Sequence, residues 1–139
     1  MKKPKVVDLN ESIRRTAEIA QNLIPANRIQ LDLKLSAKSP RVLANPAELS
    51  KAILHLVNHA VDAISTARSS GTIQITSAVV RDHVLVSVID DVPANQTDAR
   101  FRLNLSRNMI RRIGGDMWMS SEESSGTTFT IDLPSASLN

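Results

Sequence analysis

Ala44-Asn45-Pro46-Ala47-Glu48-Leu49, continued by Leu54-His55-Leu56-Val57-Asn58-His59-Ala60-Val61-Asp62-Ala63, decides the fold. Asn45 is a good helix cap, Pro46 suits a first helical position whose N–H would be unbonded anyway, and Glu48 completes a capping box. Behind them Leu49, Ala52, Ile53, Leu56, Val57, Ala60 and Ile64 recur at three- and four-residue spacing. That spacing predicts a helix to about Arg68 with one buried apolar stripe, closed by Ser69-Ser70-Gly71. His55, His59 and Asp62 share a second, polar stripe, because residues four and three apart stack on one helical face.

Upstream, Arg41 to Ala44 reads as a short strand. Arg28 to Leu35 alternates, with Ile29, Leu31, Leu33 and Leu35 on one face, the pattern of a half-buried strand. Asp8-Leu9-Asn10-Glu11 signals another helix start, with Ile13, Ala17, Ala20 and Ile24 as its apolar face, Pro25 beyond its end and Val6-Val7 as a strand before it. Downstream, Gly71 to Val80 and Val84 to Asp90 form a hairpin around Arg81-Asp82-His83. Asp91 to Arg102 reads as a loop and Leu103 to Ile113 as a helix stopped by Gly114-Gly115. Met117 to Ser121 and Thr127 to Leu133 make a final hairpin. The expected architecture is a single domain over 1–139: a two-layer α/β sandwich, with a mixed, mostly antiparallel sheet packed on about three helices.

Composition narrows the function. The 139 residues hold 42% apolar and only 2% aromatic side chains. Leu, Ile, Val and Ala must therefore build the core, and aromatic platforms for stacking nucleic-acid bases are lacking. A net charge of +3 is modest and reads as a solvated face. With no cysteine there is neither a disulfide framework nor a thiolate metal site. Lys2, Lys3 and Lys5 lead into no apolar run of signal-peptide or membrane-span length. A cytoplasmic domain without nucleic-acid binding or membrane insertion is expected.

In order and spacing these elements resemble the histidine-kinase-like ATPase family, the Bergerat fold of sensor-kinase ATP-binding domains, over nearly the whole chain. Val7-Asp8-Leu9-Asn10 is similar to the family's entry, and Ala44 to Leu49 to the approach to its central helix. Leu54 to Ala63 resembles the N box. Val88-Ile89-Asp90-Asp91-Val92-Pro93-Ala94 resembles the first glycine box, Leu103-Asn104-Leu105-Ser106 the second, and Gly126-Thr127-Thr128-Phe129 with Leu133-Pro134 the closing strand.

The resemblance implies Mg-ATP binding, yet the ligand residues differ. At the N-box Asn that would coordinate magnesium stands His59, and Asn58 is turned away by about 100° of helix. Magnesium is a hard cation that takes oxygen ligands, so imidazole is a poor replacement. Asp90, which by resemblance accepts the adenine amino group, is kept, and so is Thr127. The glycines after Asp90 are replaced by Val92 and Ala94, and those of the second box by Arg100, Arg102 and Asn104, beside Leu103. Glycine there allows positive φ and a close ligand approach. Arg100 and Arg102 could contact phosphate in place of glycine N–H groups, but read better as exposed loop charges. His55, His59 and Asp62 also have the spacing of a metal site, but read as polar lining of a vestigial pocket, with no metal.

The expected function is therefore a sensor-kinase ATP-binding-type domain with weak or no Mg-ATP binding and a docking or regulatory role in a phosphorelay. Its partner would be a kinase dimerisation domain or a response regulator. No catalytic residue is assigned, because the family's phospho-acceptor His lies on a hairpin before this domain and this chain starts too late to include it. The alternatives are an active kinase module with altered ligands and an anti-sigma-type partner-binding switch.

Overall fold

The computed structural model describes residues 4–24, 28–38, 40–67, 70–92, 104, 106–122 and 126–136. The strands are β1 (Lys5–Asp8), β2 (Ile29–Lys34), β3 (Arg41–Ala44), β4 (Gly71–Val80), β5 (His83–Asp90), β6 (Asp116–Glu122) and β7 (Gly126–Pro134). Helices α1 (Leu9–Leu23) and α2 (Pro46–Ala67) are followed by a third, α3, helical at 104 and over 106–112. Of the predicted loop only Asp91 and Val92 are described. Ala94, Arg100, Arg102 and Leu103 lie outside the described residues.

Local chemistry sets the helix starts. The Asp8 carboxylate accepts the Glu11 N–H at 3.1 Å. Asn45 Oδ1 accepts the N–H groups of Ala47 at 3.0 Å and Glu48 at 3.2 Å, satisfying donors that have no partner inside the helix. The α2 stripe read from the sequence is buried at every position from Leu49 to Ile64. At the end of α3, Gly114 has φ +90°, the left-handed stop that glycine provides.

β2-β4-β5-β7-β6 form a five-stranded mixed sheet, with β2 parallel to β4 and the other pairs antiparallel. β1 and β3 form a separate antiparallel pair. The turn in the first hairpin is shorter than predicted, because His83 already pairs with Val80 and only Arg81-Asp82 turns. Register places Ile75, Val88 and Phe129 side by side across one face. These three are buried with the α2 stripe in the core between the layers. The alternation of β2 is only half effective: Ile29 is buried, but Leu33 is 37% exposed. β2 is an edge strand, so neighbours cover it from one side only.

Two polar ties fix the helices, one of them long-range. Asn10 of α1 donates from Nδ2 to the Ser36 carbonyl at 2.9 Å, and its Oδ1 accepts Ser77 Oγ–H at 2.7 Å. The Ser36 N–H closes the ring onto Ser77 Oγ at 2.8 Å. On the other side, Arg107 of α3 donates through Nε to Asp116 of β6 at 2.9 Å. That bond, with the Met117 N–H, holds the Asp116 carboxyl well below the usual carboxylate range.

Gly126 carries the tightest backbone approach. Its φ is +95°, and a Cβ there would stand 2.1 Å from the Asp90 carbonyl oxygen. Gly114 has a similar φ but open space where its Cβ would be. Gly126→Ala is expected to destabilise the chain by roughly 3 kcal/mol, combining backbone strain with a steric shift, and Gly114→Ala by about 1 kcal/mol. Urea denaturation of the two variants checks the ordering.

Candidate functional site

The candidate site lies where β5 and β7 end under α2. Asp90 is 3% exposed at the last position of β5, paired in register with Thr127 of β7. The chain then doubles back on itself. Asp90 Oδ1 accepts the Val92 N–H at 2.8 Å, and Thr127 Oγ1 donates to the Val92 carbonyl at 2.8 Å. Both backbone polar groups of Val92 are thus bonded within the protein.

Val92 itself is 7% exposed and belongs to the core. Among the described residues only Arg81 combines a side chain with a positive φ, so Val92 does not reproduce the glycine conformation. A valine there gains burial by turning its side chain inward, at the expense of a backbone open to a ligand.

Burial pushes the Asp90 carboxyl up to about 6, with the neighbouring Asp91 charge adding to the effect. The Val92 and Thr127 N–H groups act the other way, since they favour the charged form, but desolvation outweighs them.

α2 presents its polar stripe above this clasp. The His59 ring meets Phe129 edge to face, with centroids 5.0 Å apart and an interplanar angle of 84°. Phe129 follows Thr127 on the same face of β7, so His59 stands one step along the sheet from the Asp90–Thr127 pair. His55, one turn earlier, bonds instead to Ser106 of α3, with Nδ1 and Oγ 2.6 Å apart. Ser106 is 1% exposed.

The structure therefore brings together Asp90, Val92, Thr127 and His59, and directs His55 towards α3. Asp62 and Asn104 are solvent-exposed. Among the described residues no group of three His, Asp or Glu side chains is placed to hold a metal ion. Sequence reasoning missed the pairing of Ser106 with His55. A serine at the first turn of a predicted helix was visible, but its partner 51 residues away was not.

Mg-ATP, which the sequence resemblance implies, fits these residues on one side only. The Asp90 carboxylate, with up to four acceptor positions and one given to the Val92 N–H, keeps capacity for an amino group. The α2 stripe offers imidazoles where magnesium takes oxygens, and the Val92 N–H is already given to Asp90.

Residues 44–137 match the family described as "Histidine kinase-, DNA gyrase B-, and HSP90-like ATPase". The chain is 28% identical over 144 aligned positions to sensor histidine kinase ZraS of Escherichia coli K12, covering 92% of this chain and 30% of ZraS. It is 27% identical over 127 positions to the sensor protein FixL of Bradyrhizobium diazoefficiens, covering 80% of this chain and 25% of FixL. It thus spans less than a third of the length of these relatives. Among solved structures, the catalytic domain of histidine kinase ThkA superposes with a TM-score of 0.82 at 24% identity, over 96% of this chain and 97% of that one. ThkA in complex with the response regulator TrrA superposes at 0.77 with 25% identity, over 94% of this chain and 41% of that one. No helix among the described residues is long and apolar enough to cross a membrane.

The buried Asp90 makes stability depend on pH. Its folded pKa of about 6 lies above the ordinary 3.8. Across that interval the folded chain holds a proton that the unfolded chain has released, so stability falls as pH rises through it, by up to about 3 kcal/mol. Asp90→Asn removes this titration. The variant is expected to gain stability relative to the parent between pH 4 and pH 7, measured as a smaller drop in Tm across that range.

Proposed function

This chain belongs to the histidine kinase-, DNA gyrase B-, and HSP90-like ATPase family, and from that premise we propose that it is a sensor-kinase ATP-binding-type domain with a partly closed pocket. The pocket admits an adenine-like ring at Asp90 but binds magnesium and triphosphate weakly or not at all. The domain then serves as a docking or regulatory module in phosphorelay signalling. The observation that carries this reading is Val92: buried, with its N–H held by Asp90 and its carbonyl by Thr127. His59, edge-on to Phe129 where the family resemblance calls for a magnesium-binding Asn, supports it.

The partner class follows from the same membership. ThkA, which shares the fold, has been solved with a response regulator, and a regulator or a kinase dimerisation domain is the partner proposed here. A second reading, an active module with altered ligands, draws on the intact Asp90–Thr127 pair. An anti-sigma-type switch needs the same nucleotide pocket and meets the same obstacles.

Isothermal titration with ATP, ADP and adenosine, each with and without Mg²⁺, tests the proposal. Binding is expected to be weaker than about 100 µM for ATP and unchanged by Mg²⁺. Micromolar, Mg²⁺-dependent ATP binding would overturn it. Formation of phosphohistidine when the chain is mixed with a kinase dimerisation hairpin and labelled ATP would establish the active alternative.

A further inference from the structure

A second concavity lies apart from the Asp90 clasp, between the outer faces of α2 and α3. It is an open groove of about 910 Å³. Its floor is apolar: Leu54 of α2 and Met109 of α3 are half-buried and pack against the core. Lys51 on one wall and Arg111 and Arg112 on the other form exposed rims. The His55–Ser106 bond ties the walls together. No acidic side chain is among the described lining residues, and Glu48 and Asp62 of α2 lie outside it. Arg111 is shared, 3.5 Å from Asp116, which leaves Lys51 and Arg112 as the lining cations with no ion pair among the described residues.

We propose that this groove is a docking surface for an acidic amphipathic helix of a partner protein. Its apolar side chains would seat on Leu54 and Met109 and its carboxylates would meet Lys51 and Arg112. The argument is one of charge and shape. A floor without charge between rims of one sign selects a ligand with an apolar stripe flanked by the opposite sign. Both walls are helices whose backbone groups bond within the helix, so no free backbone edge invites an added strand, and recognition must be made by side chains. From residue 51 to residue 58 the lining of α2 extends two turns, about 10 Å, the length over which a partner helix presents positions i, i+4 and i+7. No aromatic side chain is among the described lining residues, so base stacking is not on offer. The proposal takes from the functional reading only that the domain docks on a protein, and it does not depend on nucleotide affinity.

The test uses the full chain labelled at methionine methyl groups and observed by NMR. The probes are two synthetic helical peptides with the same leucine pattern, one flanked by Glu and the other by Lys. The acidic peptide is expected to shift the Met109 resonance at least tenfold more tightly than the basic one, and to weaken as salt is raised. In the Lys51→Glu/Arg112→Glu double variant that preference should invert, a gain that unfolding could not mimic. Equal response to both peptides, or no response at Met109, overturns the proposal. So does saturation of the same shift by ATP or citrate alone, which would mark a small-anion site, or concentration-dependent self-association that occupies the groove. Loss of Mg-ATP binding or its retention leaves the result unaffected, so the two readings fail separately.

Discussion

The clasp of Asp90, Val92 and Thr127 is the constraint around which the site is arranged. β5 must end at Asp90 for its carboxylate to meet the Val92 N–H, and β7 must start at Gly126 for Thr127 to reach the Val92 carbonyl. Only glycine allows the second condition, because the Gly126 backbone passes against the Asp90 carbonyl with no room for a Cβ. A buried carboxylate is costly unless its hydrogen bonds are met. Here they are met from the chain's own backbone, and its raised pKa shows that desolvation still dominates. The same bonds that make the acid tolerable draw Val92 into the core. Burial of Val92 and satisfaction of the Asp90 carboxylate are therefore one event.

α2 divides the molecule's tasks by angle. Its apolar stripe is the centre of the core. About a quarter-turn away, His59 looks onto the sheet at Phe129, and further round His55 and Lys51 look towards α3. A single helix thus supplies a wall to both concavities. The position of α3 decides the width of the outer one, and that position is held by Arg107 on Asp116 as well as by the buried Ile110. Arg107 and Asp116 are only nine residues apart, joined through a helix end and a strand start. Such a short loop leaves α3 little freedom to swing.

What the sequence made legible was everything governed by a local period or a local cap. The α2 stripe, the Asp8 and Asn45 caps, the glycine stop after α3 and the pairing of β4 with β5 all follow from neighbours within a few residues. The candidate site was legible as a set of positions, since Asp90, Thr127 and His59 do converge. Its state was not. From sequence, Val92 read as standing where glycine would allow positive φ, a conformation that would strain a valine. The structure relieves the strain by not adopting positive φ at all, and that solution needs Thr127, 35 residues away. The Asn10–Ser77–Ser36 ring and the His55–Ser106 bond were hidden for the same reason. Each depends on which face of one element meets another, and period analysis does not supply that.

The two concavities also differ in what a substitution can do to them. In the inner one Asp90, Val92 and Thr127 are bonded to one another, so any change that frees Val92 must find new partners for the Asp90 carboxylate and for Thr127 Oγ1. Removing one partner leaves the others buried and unpaired, which makes the clasp resistant to stepwise reversal. The outer groove has no such coupling. Lys51 and Arg112 are exposed side chains on helices that are already stable, and each can change with little effect on the fold. The chemistry of the outer face is therefore freer to vary than that of the clasp beneath it.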